Sequence, residues 1–141
     1  AAAHIHVSFT VDGEPPEIID VEPIVKMFDL AFFPLLFVDK DRFRKFLYGK
    51  AGAYRYKEYS PSIKGMEYRV LSNIWITKPK LTAFVFNQVQ WVFDNVTVLD
   101  PYLDELKIKI QHTINTGDLE TAGMLINKYH IPLIPDQVLH G

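Results

Sequence analysis

The chain has 141 residues, 48% of them hydrophobic and 23% charged, a balance that builds a core and sets it apart from disordered sequences. With a formal net charge of −2 and no long basic run, it lacks the electrostatic footprint of a nucleic-acid binder. Cysteine is absent, which excludes disulfide and thiolate chemistry, and no run of about twenty apolar residues is present to cross a bilayer, so no membrane insertion is expected.

The N-terminal AAAHIHV has neither the basic region nor the long apolar core of a secretory signal. Ile5, Val7, Phe9 and Val11 alternate with His6, Ser8 and Thr10, the period of a half-buried strand that stops at Asp12-Gly13. Glu14-Pro15-Pro16-Glu17 then opens a helix, since a proline in the first turn gives up an N–H that has no helical partner. Ile18, Ile19, Val21 or Glu22, Val25 and Phe28 form its stripe, and Pro23 predicts a kink or a restart. The apolar run over 30–38 reads as a second strand covered on both faces, which a right-handed crossover would set parallel to the first.

Asp39 or Asp41 caps a helix through Phe43, Phe46 and Leu47, which Gly49 and Gly52 end. The segment 53–59, AYRYKEY, reads as an extended strand with an aromatic face, followed by a loop built on Ser60-Pro61-Ser62 and Lys64-Gly65. The stretch 67–77 returns as one strand or a pair.

Over 80–96, Leu81, Val85, Val89, Val92 and Val96 recur at helical spacing, with Phe84, Trp91 and Phe93 widening the stripe and Asn87, Gln90 and Asp94 on another face. Asp100-Pro101 restarts a second helix through Leu103, Leu106 and Ile110, broken by Asn115-Thr116-Gly117. Asp118 caps a third, with Leu119, Ala122, Leu125 and Ile126 inward, and Tyr129-His130-Ile131-Pro132 ends it. The order is α/β first and helical afterwards, as a β/α segment over 1–78 and a helical segment over 79–141 of one compact unit.

Chemistry-bearing patterns are sparse. His4 and His6 share a strand face but have no third ligand at a matching spacing, so no metal or other cofactor is expected. The serines lack a nucleophile-elbow context, the glycines lack a phosphate-loop pattern, and His112, His130 and His140 are scattered, so the chain reads as non-catalytic. Two features point to binding. The turn 7–19 joins a strand end to a helix N-terminus, where free N–H groups can hold an anion, although Asp12 and Glu14 offset that attraction. Tyr54, Tyr56, Tyr59 and Tyr68 gather around one loop, as a tyrosine-rich strand pair against a helix or as the wall of a ligand cleft.

The segments VSFTVDGEPPEII, PLLFVDKDRFRKF, SIKGMEY, KLTAFVFNQVQWVFDNVTVLDPYLDEL and IPLIPDQVLHG, in this order and spacing, resemble the C-terminal part of the TAXI family, the solute receptors of tripartite ATP-independent periplasmic transporters. The chain departs from that family at His6 and Val7, which replace an acidic residue and an alanine. Ile63 stands where a tyrosine precedes Lys64-Gly65, and Ile134-Pro135-Asp136 replaces a His-Pro-Gly element. The resemblance implies part of a type II periplasmic-binding-protein fold, with parallel strands in the N-terminal half and mainly helices in the C-terminal half. It also implies a periplasmic location and a small carboxylate-type solute held between two lobes. This chain would then supply one side of the cleft, through Thr10, Asp12, Gly13, Glu14, Tyr59 and Lys64, with the missing N-terminal half or another protein chain as partner. The altered motif positions and the aromatic surplus fit an alternative, a receptor-derived interaction subunit that has lost its ligand.

Overall fold

A computed structural model describes residues 5–9, 21–38, 54–60, 63–69 and 78–139, with the backbone alone at 9, 56–60 and 63–64. The described elements are strand β1 (Ile5–Phe9), helix α1 (Glu22–Ala31), a 3-10 turn (Phe33–Phe37), strands β2 (Tyr54–Ser60) and β3 (Ile63–Tyr68), and helices α2 (Pro79–Thr116) and α3 (Leu119–Tyr129). The fold is α/β, mainly helical, with a small antiparallel sheet in the order β1-β3-β2.

β1 keeps its expected alternation, with Ile5 buried, Val7 half-buried, and His6 and Ser8 exposed. Its partner is not the expected one. The run 30–38 is not a strand: it finishes α1 and continues as the 3-10 turn. Leu30, Ala31, Phe32, Phe33, Leu35 and Leu36 are all buried, as a doubly covered strand would be, but a continuous apolar run fits a buried helix equally well. Pro34 decides against the strand, because it has no N–H for a ladder and suits the first turn of the 3-10 segment. β1 pairs instead with β3, so the described strands show antiparallel pairing where parallel strands were expected.

α1 starts at Glu22 with Pro23 in its first turn, which is the restart the sequence allowed. It lies between the sheet and α2. Phe28 and Phe32 meet the Tyr68 ring at centroid distances of 5.2 and 5.8 Å, and Phe84 of α2 meets Phe32 edge-on at 6.1 Å. The Tyr54 hydroxyl donates to Glu22 at 2.8 Å, and Lys26 bridges to Asp104 at 3.0 Å, so the first turn and the middle of α1 are tied to neighbours.

α2 is one 38-residue helix where two were expected. Pro101 removes a single main-chain hydrogen bond, but Val92, Leu99, Leu103, Leu106 and Ile110 carry the buried stripe across it in register. Packing on one continuous face outweighs that local loss. Gly117 closes α2 in the left-handed conformation, φ 70°, donating its N–H to the Thr113 carbonyl. Asp118 then caps α3 as expected, accepting from the Thr121 N–H at 3.2 Å and the Thr121 hydroxyl at 2.8 Å. These bonds, the backbone N–H first, hold its carboxyl below the ordinary 3.8. The stability it contributes is therefore present above that value and lost as pH falls through the lower folded one. Asp118→Ala is expected to cost about 1 kcal/mol at neutral pH, measured by urea unfolding, with the difference shrinking in acid.

Gly123 lies mid-helix in α3, where glycine is less favourable than alanine by about 0.5–1 kcal/mol. A Cβ there would meet only the Phe37 ring, at an ordinary 3.7 Å. Gly123→Ala is therefore expected to raise stability by about that amount. An unchanged or lower thermal midpoint would contradict it.

Candidate functional site

Two regions of the described structure hold candidate binding features. The first is the end of the sheet where β1 runs toward Thr10. Phe9, the last residue of β1, pairs with Lys64 of β3, and Lys64 pairs on its other side with Glu58 of β2. A register irregularity between Glu58 and Ser60 falls at Tyr59. The backbones of Tyr59 and Lys64, five positions apart in sequence, thus share one sheet end with Phe9, the last residue of β1. Thr10, Asp12, Gly13 and Glu14 themselves lie outside the described residues.

Lys64-Gly65 is part of β3, not of the loop expected from its glycine. The glycine is needed for another reason. A Cβ at position 65 would overlap the Val7 carbonyl oxygen and come within 2.9 Å of the Ser8 Cα, so β1 reaches β3 only because position 65 has no side chain.

The tyrosine cluster divides. Tyr68 is fully buried and donates its hydroxyl to Asp29 at 2.5 Å, and half-buried Tyr54 bonds Glu22. Both tie the sheet to α1, while the side chains of Tyr56 and Tyr59 lie outside the described residues. Burial first, and then the Asp29 charge, push the Tyr68 hydroxyl well above its ordinary 10.0. Its stabilising effect is thus fully present below about pH 10, where the unfolded tyrosine begins to ionise, and is lost as pH rises toward the folded value. The stability gap between the native chain and Tyr68→Phe is expected to narrow above pH 10 by about 1.4 kcal/mol per pH unit. Urea unfolding between pH 9 and 11 measures it, and a constant gap would contradict this assignment.

Among the described residues no three His, Asp or Glu side chains gather as metal ligands. His112 Nε2 lies 3.9 Å from Asp118 Oδ2, but that carboxylate is already engaged as the α3 cap. His130 occupies a left-handed C-cap, φ 54°, at the end of α3. His4 and His140 lie outside the described residues. No helix of the described residues is long and apolar enough to cross a membrane.

The second region is a cleft of about 900 Å³ between the end of the 3-10 turn, α3 and the C-terminal segment 134–139. Its walls include Phe37, Val38, Leu119, Met124 and Leu139. Three polar side chains on its border are engaged. Lys80 Nζ donates to Asp136 at 2.7 Å, and Gln137 accepts from the Ile134 N–H while donating to the Pro34 carbonyl. Sequence reasoning missed this cleft, because its lining comes from four separate stretches of the chain.

No family model, curated protein or solved structure matches the chain. The functional reading therefore stands on the residues, their geometry and the motif order described above.

Proposed function

We propose that the chain is a non-catalytic, TAXI-like receptor module that forms one side of a cleft for a small carboxylate-type solute. The observation that supports it is the strand register. Lys64 lies opposite Phe9, the residue that precedes the first candidate segment, although the two are about fifty residues apart in sequence. In this reading a lysine ammonium and helix-terminal N–H groups provide charge-assisted hydrogen bonds to the carboxylate. The type II periplasmic-binding-protein architecture belongs to the same proposal and rests on motif order, not on the antiparallel sheet.

Calorimetric titration of the full-length gene product with small dicarboxylates and amino acids tests it. Binding is expected, with Lys64→Ala weakening it about tenfold or more, the equivalent of one charge-assisted bond. Absence of heat with every such solute would overturn the reading.

A second reading, a receptor-derived interaction subunit, is favoured by Phe86 and Phe93. They are 66% and 38% exposed and lie seven residues apart on one face of α2. It predicts self-association or a protein partner, lost in Phe86→Glu. A stable, monodisperse monomer by light scattering would count against it.

A further inference from the structure

The cleft beside α3 lies apart from the sheet end that carries the solute proposal, and its chemistry differs. At about 900 Å³ it falls within the size range of small-molecule sites, and its lining is predominantly apolar. Across it Met124 and Val138 stand 61% and 70% exposed, as apolar lips with a flexible thioether on one side. Gly123 also lines the cleft, and a Cβ there would meet nothing within 4 Å but the Phe37 ring. The Phe37 ring is at ordinary contact distance from a Cβ placed there, so packing does not require glycine at this position, and the helix would be better formed without it.

The polar border restricts what can enter. Its ammonium, Lys80, is bonded to Asp136, and Glu120 adds a second carboxylate on the α3 side. Two carboxylates face one neutralised cation, which disfavours an anion. Gln137 is held at both ends of its amide by main-chain groups, leaving Asn127 as the amide wall residue whose hydrogen bonds are not taken up in this way. We infer that this cleft binds an uncharged, largely apolar small molecule carrying at most one hydrogen-bonding group, at a site separate from that of the carboxylate solute. Apolar burial supplies the affinity, and the two carboxylates at the border exclude anionic analogues.

A matched pair of fluorescent probes tests this on the intact chain. N-phenyl-1-naphthylamine is neutral, and 8-anilino-1-naphthalenesulfonate has the same aromatic skeleton with a sulfonate added. Saturable binding of the neutral probe is expected, at least about tenfold tighter than that of the anion. Gly123→Leu, which adds a side chain to the lining, is expected to weaken the neutral probe about tenfold or more, and Met124→Glu to weaken it through the lip. Circular dichroism and the thermal midpoint establish that each variant is folded. Lys64→Ala is expected to leave probe binding unchanged, so loss of the carboxylate site and loss of this site are read separately. Failure of the neutral probe to bind, equal affinity for the anion, or full affinity in folded Gly123→Leu would each overturn the proposal.

Discussion

Gly65→Ala is expected to lower stability by about 3 kcal/mol, with a fall of roughly 10 °C in the thermal midpoint. The cause is backbone against backbone. The added methyl would occupy the space of the Val7 carbonyl oxygen, and no side-chain rotation relieves that, so β1 must move away from β3. Moving it weakens the Val7–Met66 and Ser8–Gly65 pairings and loosens the packing of Ile5, which is buried. Hydrogen exchange should consequently rise in 5–9 and 63–68 while α2 stays protected. Under the proposed function the same substitution abolishes solute binding, because Lys64 loses its place opposite Phe9. Lys64→Ala, by contrast, is expected to weaken binding about tenfold or more and to leave stability within about 0.5 kcal/mol. If Gly65→Ala were as stable as the native chain, the close approach of β1 and β3 would be wrong.

What the sequence disclosed divides along the range of the forces involved. The stripe of α2, the Gly117 break, the Asp118 cap and the stop at His130 were legible because each is set by neighbours within one or two turns. Pro23, which the sequence offers as a kink or a restart, lies in the first turn of α1 by the same local rule. The run 30–38 was not legible as helix, since apolar residues on every side erase the periodicity that separates strand from helix. Strand pairing was hidden for a different reason. The partner of β1 begins at Ile63, and nothing in either segment alone specifies a pairing at that distance. Gly65 misled for the same reason: glycine marks turns locally, and here it serves a contact with a distant strand.

The candidate site follows that pattern. Tyr59 and Lys64 were singled out beside a loop, and the sheet brings their backbones to the end from which Thr10 follows, an association carried by register alone. Tyr68, grouped with them in sequence, is instead a buried tie to Asp29. Hydroxyl chemistry permits either role, and only burial distinguishes them.

Gln88→Leu is expected to cost about 3 kcal/mol, although leucine matches the buried stripe on which Gln88 lies. Gln88 is 0% exposed, and its amide nitrogen donates to the Ala31 carbonyl at 2.7 Å and the Pro132 carbonyl at 2.9 Å. Ala31 ends α1, and its carbonyl belongs to the last turn, where helical partners run out. Pro132 begins the segment that leads from α3 to the cleft wall. One side chain on α2 therefore closes the end of α1 and anchors the C-terminal segment. Leucine preserves the volume and removes both donors, leaving two carbonyls short of the Gln88 amide, at about 1–3 kcal/mol each, partly recovered by relaxation. In urea the midpoint should fall with little change in slope, and hydrogen exchange should rise in 131–139 before it rises in the sheet. Gln88→Glu should be worse near neutral pH, because it replaces the donor with a buried charge facing two acceptors, and should recover in acid as the carboxyl protonates and can donate once. A Gln88→Leu protein within about 0.5 kcal/mol of the native chain would show that the amide is a passenger in the core and that the C-terminal segment is held by Ile131 and Ile134 alone.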